Sequence, residues 1–139
     1  MELDTKDLLF EFTSFTSALQ SAKELNKLLL VYVTSDGCGP CLKMKKEIFT
    51  NSKVINFFNK KMICGKIHIK RTKSVMKSSE FESLNKTQIA FLEFHNVELA
   101  FPTFLVFDNH GNLIHKTTKY MNPNEFIEFG NKILEINNI

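Results

Sequence analysis

Apolar side chains recur along this chain at two spacings, and the places where the spacing changes delimit its elements. Phe15, Leu19, Ala22 and Leu25 fall on one face of a helix that Ser14 or Thr16 can cap, which predicts a helix over residues 16–25. Leu28-Leu29-Leu30-Val31-Tyr32-Val33 is an unbroken apolar run of strand length, the pattern of a central strand buried on both faces. Polar, glycine-containing residues 34–39 predict a turn. Leu42, Ile48, Phe49, Ile55 and Phe58 then carry a helical pattern over residues 40–58, which Asn51-Ser52 can divide in two. Alternation rich in isoleucine predicts a strand over residues 61–69. A basic, serine-rich loop is expected over 70–80 and a helix over 81–95. Residues 103–107 and 113–118 flank Asp108-Asn109-His110-Gly111 as a β-hairpin. Asn122-Pro123-Asn124-Glu125 reads as a helix start, with an asparagine cap, proline at the first helical position and glutamate at the third. Residues 1–13 form an N-terminal extension whose one candidate element is a short strand over 8–12.

The order helix–strand–helix–strand builds a unit with parallel strands, and the final strands pair as a hairpin. The expected fold is therefore an α/β domain with a central mixed β-sheet flanked by helices on both faces. At 139 residues and 16.1 kDa the chain is expected to be a single domain, most simply a monomer. A chain of this size buries roughly 68% of its unfolded surface, enough for a core without staples. Hydrophobic residues are 43% and charged residues 24%, which excludes disordered, collagenous and coiled-coil classes. A net charge of +3 is too small to imply a nucleic-acid partner. No apolar run approaches the ~20 residues of a membrane span. Met1-Glu2-Leu3-Asp4 shows no basic region followed by an apolar one, so no signal peptide is expected in these residues. The compartment stays open: periplasmic or otherwise exported if a leader has been removed, cytoplasmic if not.

The strongest chemical signal is Cys38-Gly39-Pro40-Cys41, which follows the apolar strand and opens a helix. A cysteine at a helix N-terminus meets unpaired backbone N–H groups and the positive end of the helix dipole, which favour the thiolate. A free thiol titrates at ~8.5, and in such motifs between ~3.5 and ~7.5. Cys41 lies one helical turn on, placed to attack a mixed disulfide formed at Cys38. Pro40 fits the first turn because its missing N–H has no helical partner there. The competing reading is a binding module whose cysteines are structural or hold zinc, with Cys64 and His68 completing a four-ligand set. Against it, Cys64 is expected to pack as a small hydrophobe, and Cys64 and His68 to lie on a strand that serves the core rather than faces the motif. No metal or organic cofactor is expected.

The Cys-Gly-Pro-Cys motif after a buried strand, with Phe101-Pro102-Thr103 ahead of a later strand, resembles the thioredoxin superfamily. The run from Cys41 through Lys43-Met44 and Phe49 to Val54 is similar to a thioredoxin-like branch that includes the C-terminal domain of the bacterial transmembrane disulfide reductase. Ala18, Ala22-Lys23, Asn26-Lys27 and Tyr120 add to that likeness, which spans about residues 14–136. The resemblance implies a thioredoxin fold and a thiol–disulfide oxidoreductase, leaning towards a disulfide reductase. Cys38 and Cys41 would be catalytic, Gly39 and Pro40 supporting. Pro102 would be a cis-proline beside the sulfurs that shapes the substrate groove with Phe101. The implied partners are protein disulfide or dithiol substrates and a recycling reductase.

Three positions need separate statement. Tyr32, six residues before Cys38, stands where the family usually has a buried aspartate, and Gly37 where it usually has tryptophan. Lys66 matches the family's buried strand lysine. The implied thiol pair is thus present without the usual proton acceptor for Cys41, since a phenol titrates at ~10. Lys66, Lys70, Arg71, Lys73 and Lys77 make a basic stretch, expected to be a solvated loop; it is also expected to leave the sheet at the same edge as Cys38, and the alternative reading is that it helps select a partner protein.

Overall fold

The computed structural model describes residues 9–10, 14–71 and 78–137. Its elements are α1 (Phe15–Leu25), β1 (Leu28–Ser35), α2 (Gly39–Glu47), α3 (Ser52–Lys61), β2 (Met62–Ile69), α4 (Ser78–Leu84), α5 (Lys86–Phe94), β3 (Thr103–Phe107), β4 (Leu113–Thr117) and α6 (Pro123–Ile136). The four strands form one mixed sheet in the order β2-β1-β3-β4. β1 runs parallel to β2 and antiparallel to β3, and β3 and β4 form the hairpin. No helix among the described residues is long and apolar enough to cross a membrane.

Every residue of β1 is buried, as its unbroken apolar run requires. Alternate side chains enter two separate cores. Leu28, Leu30 and Tyr32 face Met44 and Ile48, Val54 and Phe58 of α3, and Phe126, Ile133 and Leu134 of α6. Leu29, Val31 and Val33 face Ala18 and Ala22 of α1 and Leu92 of α5. Helices therefore cover both faces of the sheet.

Local chemistry sets the boundaries. Asn51 ends the expected long helix and starts α3, its side chain accepting N–H bonds from Lys53 and Val54. Asn122 and Glu125 close a reciprocal capping box on α6. The single helix expected over 81–95 is two helices, and the first begins at Ser78, inside the expected loop. The cause is Asn85, fully buried at the junction. Its carboxamide does not cap α5. Its oxygen instead accepts the Lys70 N–H at 2.7 Å, and its nitrogen donates to the carbonyls of Lys70 at 2.9 Å and Phe81 at 3.0 Å. Asn85 thus fastens the chain leaving β2 onto the helical layer. The expected strand over 8–12 falls mostly outside the described residues. Its described pair, Leu9 and Phe10, is not in a strand but is packed into the core. Residues 72–77, with Lys73 and Lys77, also lie outside the described residues.

Two substitutions test this packing. Asn85→Ala removes the partner of both backbone groups of Lys70, and equilibrium urea unfolding should show a loss of about 1–3 kcal/mol. An unchanged midpoint would show that the clamp holds nothing. Gly130 of α6 leaves no room for a side chain: a Cβ there would lie 2.5 Å from Phe57 and 2.9 Å from the fully buried ring of Phe58. Gly130→Ala should lower stability by about 1–3 kcal/mol through overpacking, despite the ~1 kcal/mol by which alanine favours a helix over glycine. A midpoint at or above that of the parent would contradict this.

Candidate active site

The site grows from the end of β1. Parallel register sets Tyr32 beside Lys66, Thr34 beside His68 and Ser35 beside Ile69, so both strands leave the sheet at one edge. The Asp36 N–H continues the pairing onto the Ile69 carbonyl at 3.2 Å. Gly37 then turns the chain with φ +74°, a left-handed conformation that favours glycine over any residue with a side chain.

Cys38 is the N-cap of α2, and its sulfur accepts the Cys41 N–H at 3.2 Å. Pro40 lies in the first turn of the helix, as expected. Cys38 and Cys41 are joined as a disulfide with Cα atoms 5.2 Å apart. The two sulfurs differ in setting: Cys38 is half-buried and Cys41 is 4% exposed, packed in the same core as Met44 and Ile48. Gly39 has no atom within 4 Å of where a Cβ would stand, so the outer surface of the motif is open. Lys43 lies over the Tyr120 ring at 4.9 Å, joining two residues that carried the resemblance.

Phe101 and Pro102 precede β3, whose Thr103 pairs with Val33, so they stand at the sheet edge from which the motif projects. The peptide bond between them is cis, and Pro102 is buried. The Thr103 hydroxyl donates to the Ala100 carbonyl at 2.8 Å and lies 2.9 Å from the Thr118 hydroxyl, which fixes the approach to the strand.

Behind the motif lies an open cavity of about 280 Å³, walled by β1, β2 and α2 and reaching both Cys38 and Cys41. Lys66 and Tyr32 line it as neighbours in register. Tyr32 stacks with Phe104 at a centroid distance of 5.3 Å, meets Phe49 edge-on at 4.9 Å and lies tilted against Phe10 at 5.1 Å. An unpaired carboxylate at that position would be expensive to bury among these rings, so an aromatic residue suits the site.

One expectation is corrected here. His68 does not serve the core: it lines the cavity behind the two cysteines, because it sits on the same strand face as Lys66. Its Nε2 lies 2.7 Å from Asp36 Oδ1, and the Arg71 N–H donates to Asp36 Oδ2 at 2.9 Å. The Arg71 bond and then His68 hold the Asp36 carboxyl below its ordinary 3.8. Cys64 is buried in the core as expected, with its thiol directed at the Phe58 carbonyl. Among the described residues no cluster of three or more His, Cys, Asp or Glu side chains is arranged to hold a metal ion. The Asp36–His68 pair and Asn85 carry no signal in hydropathy or spacing. Only the strand register brings Asp36 and His68 together.

The thioredoxin-like domain family matches residues 15–134. No curated protein sequence matches the chain. Solved structures share its fold. A putative disulphide-isomerase from Bacteroides thetaiotaomicron is 22% identical over 95% of this chain and 94% of its own, with a TM-score of 0.66. The DsbD c-terminal domain of Neisseria meningitidis, in the reduced form, is 14% identical over 84% and 91%, with a TM-score of 0.65. DsbH oxidoreductase is 17% identical over 97% and 91%, with a TM-score of 0.61. With the family match covering both cysteines, the cis-proline and all four strands, the chain belongs to the thioredoxin-like family.

Proposed function

We propose that this protein is a thiol–disulfide oxidoreductase that reduces disulfides in other proteins through the Cys38–Cys41 dithiol. The observation that carries this reading is the asymmetry of the pair: one sulfur half-exposed at a helix N-terminus, the other buried one turn behind it and within bonding reach.

Each residue then has a part. The N-terminal N–H groups of α2 favour the Cys38 thiolate. That thiolate attacks a substrate disulfide, forming a mixed disulfide and releasing one substrate thiolate. Cys41 attacks the Cys38 sulfur, closing the intramolecular disulfide and releasing the second. Two electrons pass from the dithiol to the substrate, and a recycling reductase restores the dithiol. Pro102 and Phe101 shape the groove in front of the sulfurs, and an extended substrate segment lies against this edge. Gly39 leaves the approach unobstructed, and Pro40 holds the first turn of α2. Lys66 and Tyr32 form the floor behind Cys41.

Two measurements test the assignment. Cys38→Ser should reduce insulin disulfides no faster than a protein-free control, whereas Cys41→Ser should accumulate mixed disulfides through Cys38, visible by non-reducing electrophoresis and mass spectrometry. If Cys41→Ser reduced insulin as fast as the parent, the two roles would be wrongly assigned. The reduced protein should also contain no stoichiometric zinc by elemental analysis. One zinc per chain, lost in Cys64→Ala, would replace the enzyme by a zinc-holding module.

A further inference from the structure

Resolution of the mixed disulfide requires Cys41 to lose a proton, and Cys41 is buried, which by desolvation disfavours its thiolate. The open cavity is the polar approach to that sulfur. Among the described residues, five ionisable side chains line it besides the cysteines: Tyr32 and Asp36 at the end of β1, Lys45 on α2, and Lys66 and His68 on β2. Four are unsuited to accept a proton near neutral pH. The Lys45 and Lys66 ammonium groups are hydrogen-bond donors with no acceptor site, and the Tyr32 hydroxyl is packed among aromatic rings. Asp36 is a weak base because the Arg71 N–H and His68 hold its carboxyl below 3.8. The His68 imidazole is the remaining group, and its ring carries a second nitrogen that can accept a proton.

We propose that His68, oriented by Asp36, is the relay that takes the Cys41 proton through cavity water during resolution. This rests on the oxidoreductase reading and adds the missing acceptor to it. Near neutral pH the Asp36 carboxylate only accepts hydrogen bonds, so the ring at 2.7 Å donates its Nε2–H to Oδ1. In the neutral ring that bond fixes the tautomer and leaves the Nδ1 lone pair to take a proton. The Arg71 N–H holds the carboxylate from its other oxygen, so the orienting group is itself fixed. Once His68 is protonated, Asp36 balances the new charge, while Lys45, Lys66 and the nearby Lys70 oppose it and favour the proton's release. With 41% of its side chain exposed, His68 can pass the proton on to solvent.

The Cys41 thiol proton passes through water to Nδ1. The Cys41 thiolate attacks the Cys38 sulfur of the mixed disulfide, forming the Cys38–Cys41 bond and breaking the bond to the substrate sulfur. The departing substrate thiolate takes a proton from the imidazolium or from solvent, and the ring returns to neutral. His68 touches neither sulfur and acts through water, so it is a positioning and relay group.

The experiment is single-turnover decay of the mixed disulfide between Cys38 and a peptide disulfide, followed from pH 6 to 9 in the parent, His68→Gln and Asp36→Asn. His68→Gln should slow resolution at pH 7 by about tenfold or more, short of the ~10²–10⁴ of direct proton transfer because water intervenes. The gap should close towards pH 9, where hydroxide competes with the relay as proton acceptor. Free imidazole should restore part of the rate in His68→Gln and leave the parent unchanged. Asp36→Asn should slow resolution in the same direction by less. Equal rates and pH profiles in parent and His68→Gln would overturn the relay. So would a uniform slowing at every pH without imidazole rescue, which marks a purely structural role. Capture of the same peptide by Cys41→Ser is measured alongside. If Cys38 captured nothing, the oxidoreductase reading itself would fall and the relay with it, whereas capture with unaltered resolution would remove the relay alone.

Discussion

Burial of β1 along its whole length is the constraint on which the other features depend. A strand without one solvent-facing residue has to be covered on both faces and paired on both edges. Each large aliphatic side chain taken from water in doing so contributes roughly 1.5–3 kcal/mol. The chain meets this demand with a parallel neighbour, β2, on one side and an antiparallel neighbour, β3, on the other. The first choice brings the ends of β1 and β2 to a common edge. The second brings the beginning of β3, and with it Pro102, to that same edge. Cys38 begins α2 directly beyond it, so the hydrophobic requirement of one strand gathers every part of the candidate site.

The core and the site compete for position 32. A buried acid there would sit close behind Cys41, but the neighbouring rings of Phe10, Phe49 and Phe104 make that position apolar. Tyr32 resolves the competition in favour of packing. Polar groups reappear further along the same strand face, where β2 passes from Cys64 in the core, through half-buried Lys66, to His68 at the rim. The gradient along one face of one strand therefore separates the packed core from the polar rim by four residues, roughly 13 Å of strand at ~3.3 Å per residue from Cys64 to His68.

Much of this was legible in the residues. The apolar run at 28–33, the capping signature at Asn122 and the Cys-Gly-Pro-Cys motif each combine a local preference with the tertiary arrangement, and each lies where periodicity and spacing indicate. The failures are of another kind. Asn85 divides a helix that periodicity joins, because its carboxamide serves the backbone of Lys70, fifteen residues away in sequence. His68 looks like a core residue in an alternating strand, yet its neighbours Lys66 and Thr34 place it at the rim. Both depend on register between distant segments, which no local pattern encodes. Gly37 is an intermediate case: its place in a turn is visible, but the left-handed backbone that favours glycine there is not.

The disulfide itself has two environments, and this follows from the geometry of a helix start. One turn separates the N-cap from the residue whose N–H it accepts, and over that turn the chain passes from surface to core. In front, where Cys38 lies, Gly37 and Gly39 leave the space open. Behind, where Cys41 lies, the cavity admits small molecules such as water while the rings of Tyr32 and Phe49 close its floor. A macromolecular disulfide approaching from the front meets the half-exposed sulfur. The buried sulfur is open from the back, between strands whose parallel register leaves Asp36, Lys66 and His68 around the opening. In the proposed reaction these separate approaches allow a bulky partner to occupy one side without blocking the other, so that the attacking and resolving steps would act on one pair of sulfurs through different faces of the molecule.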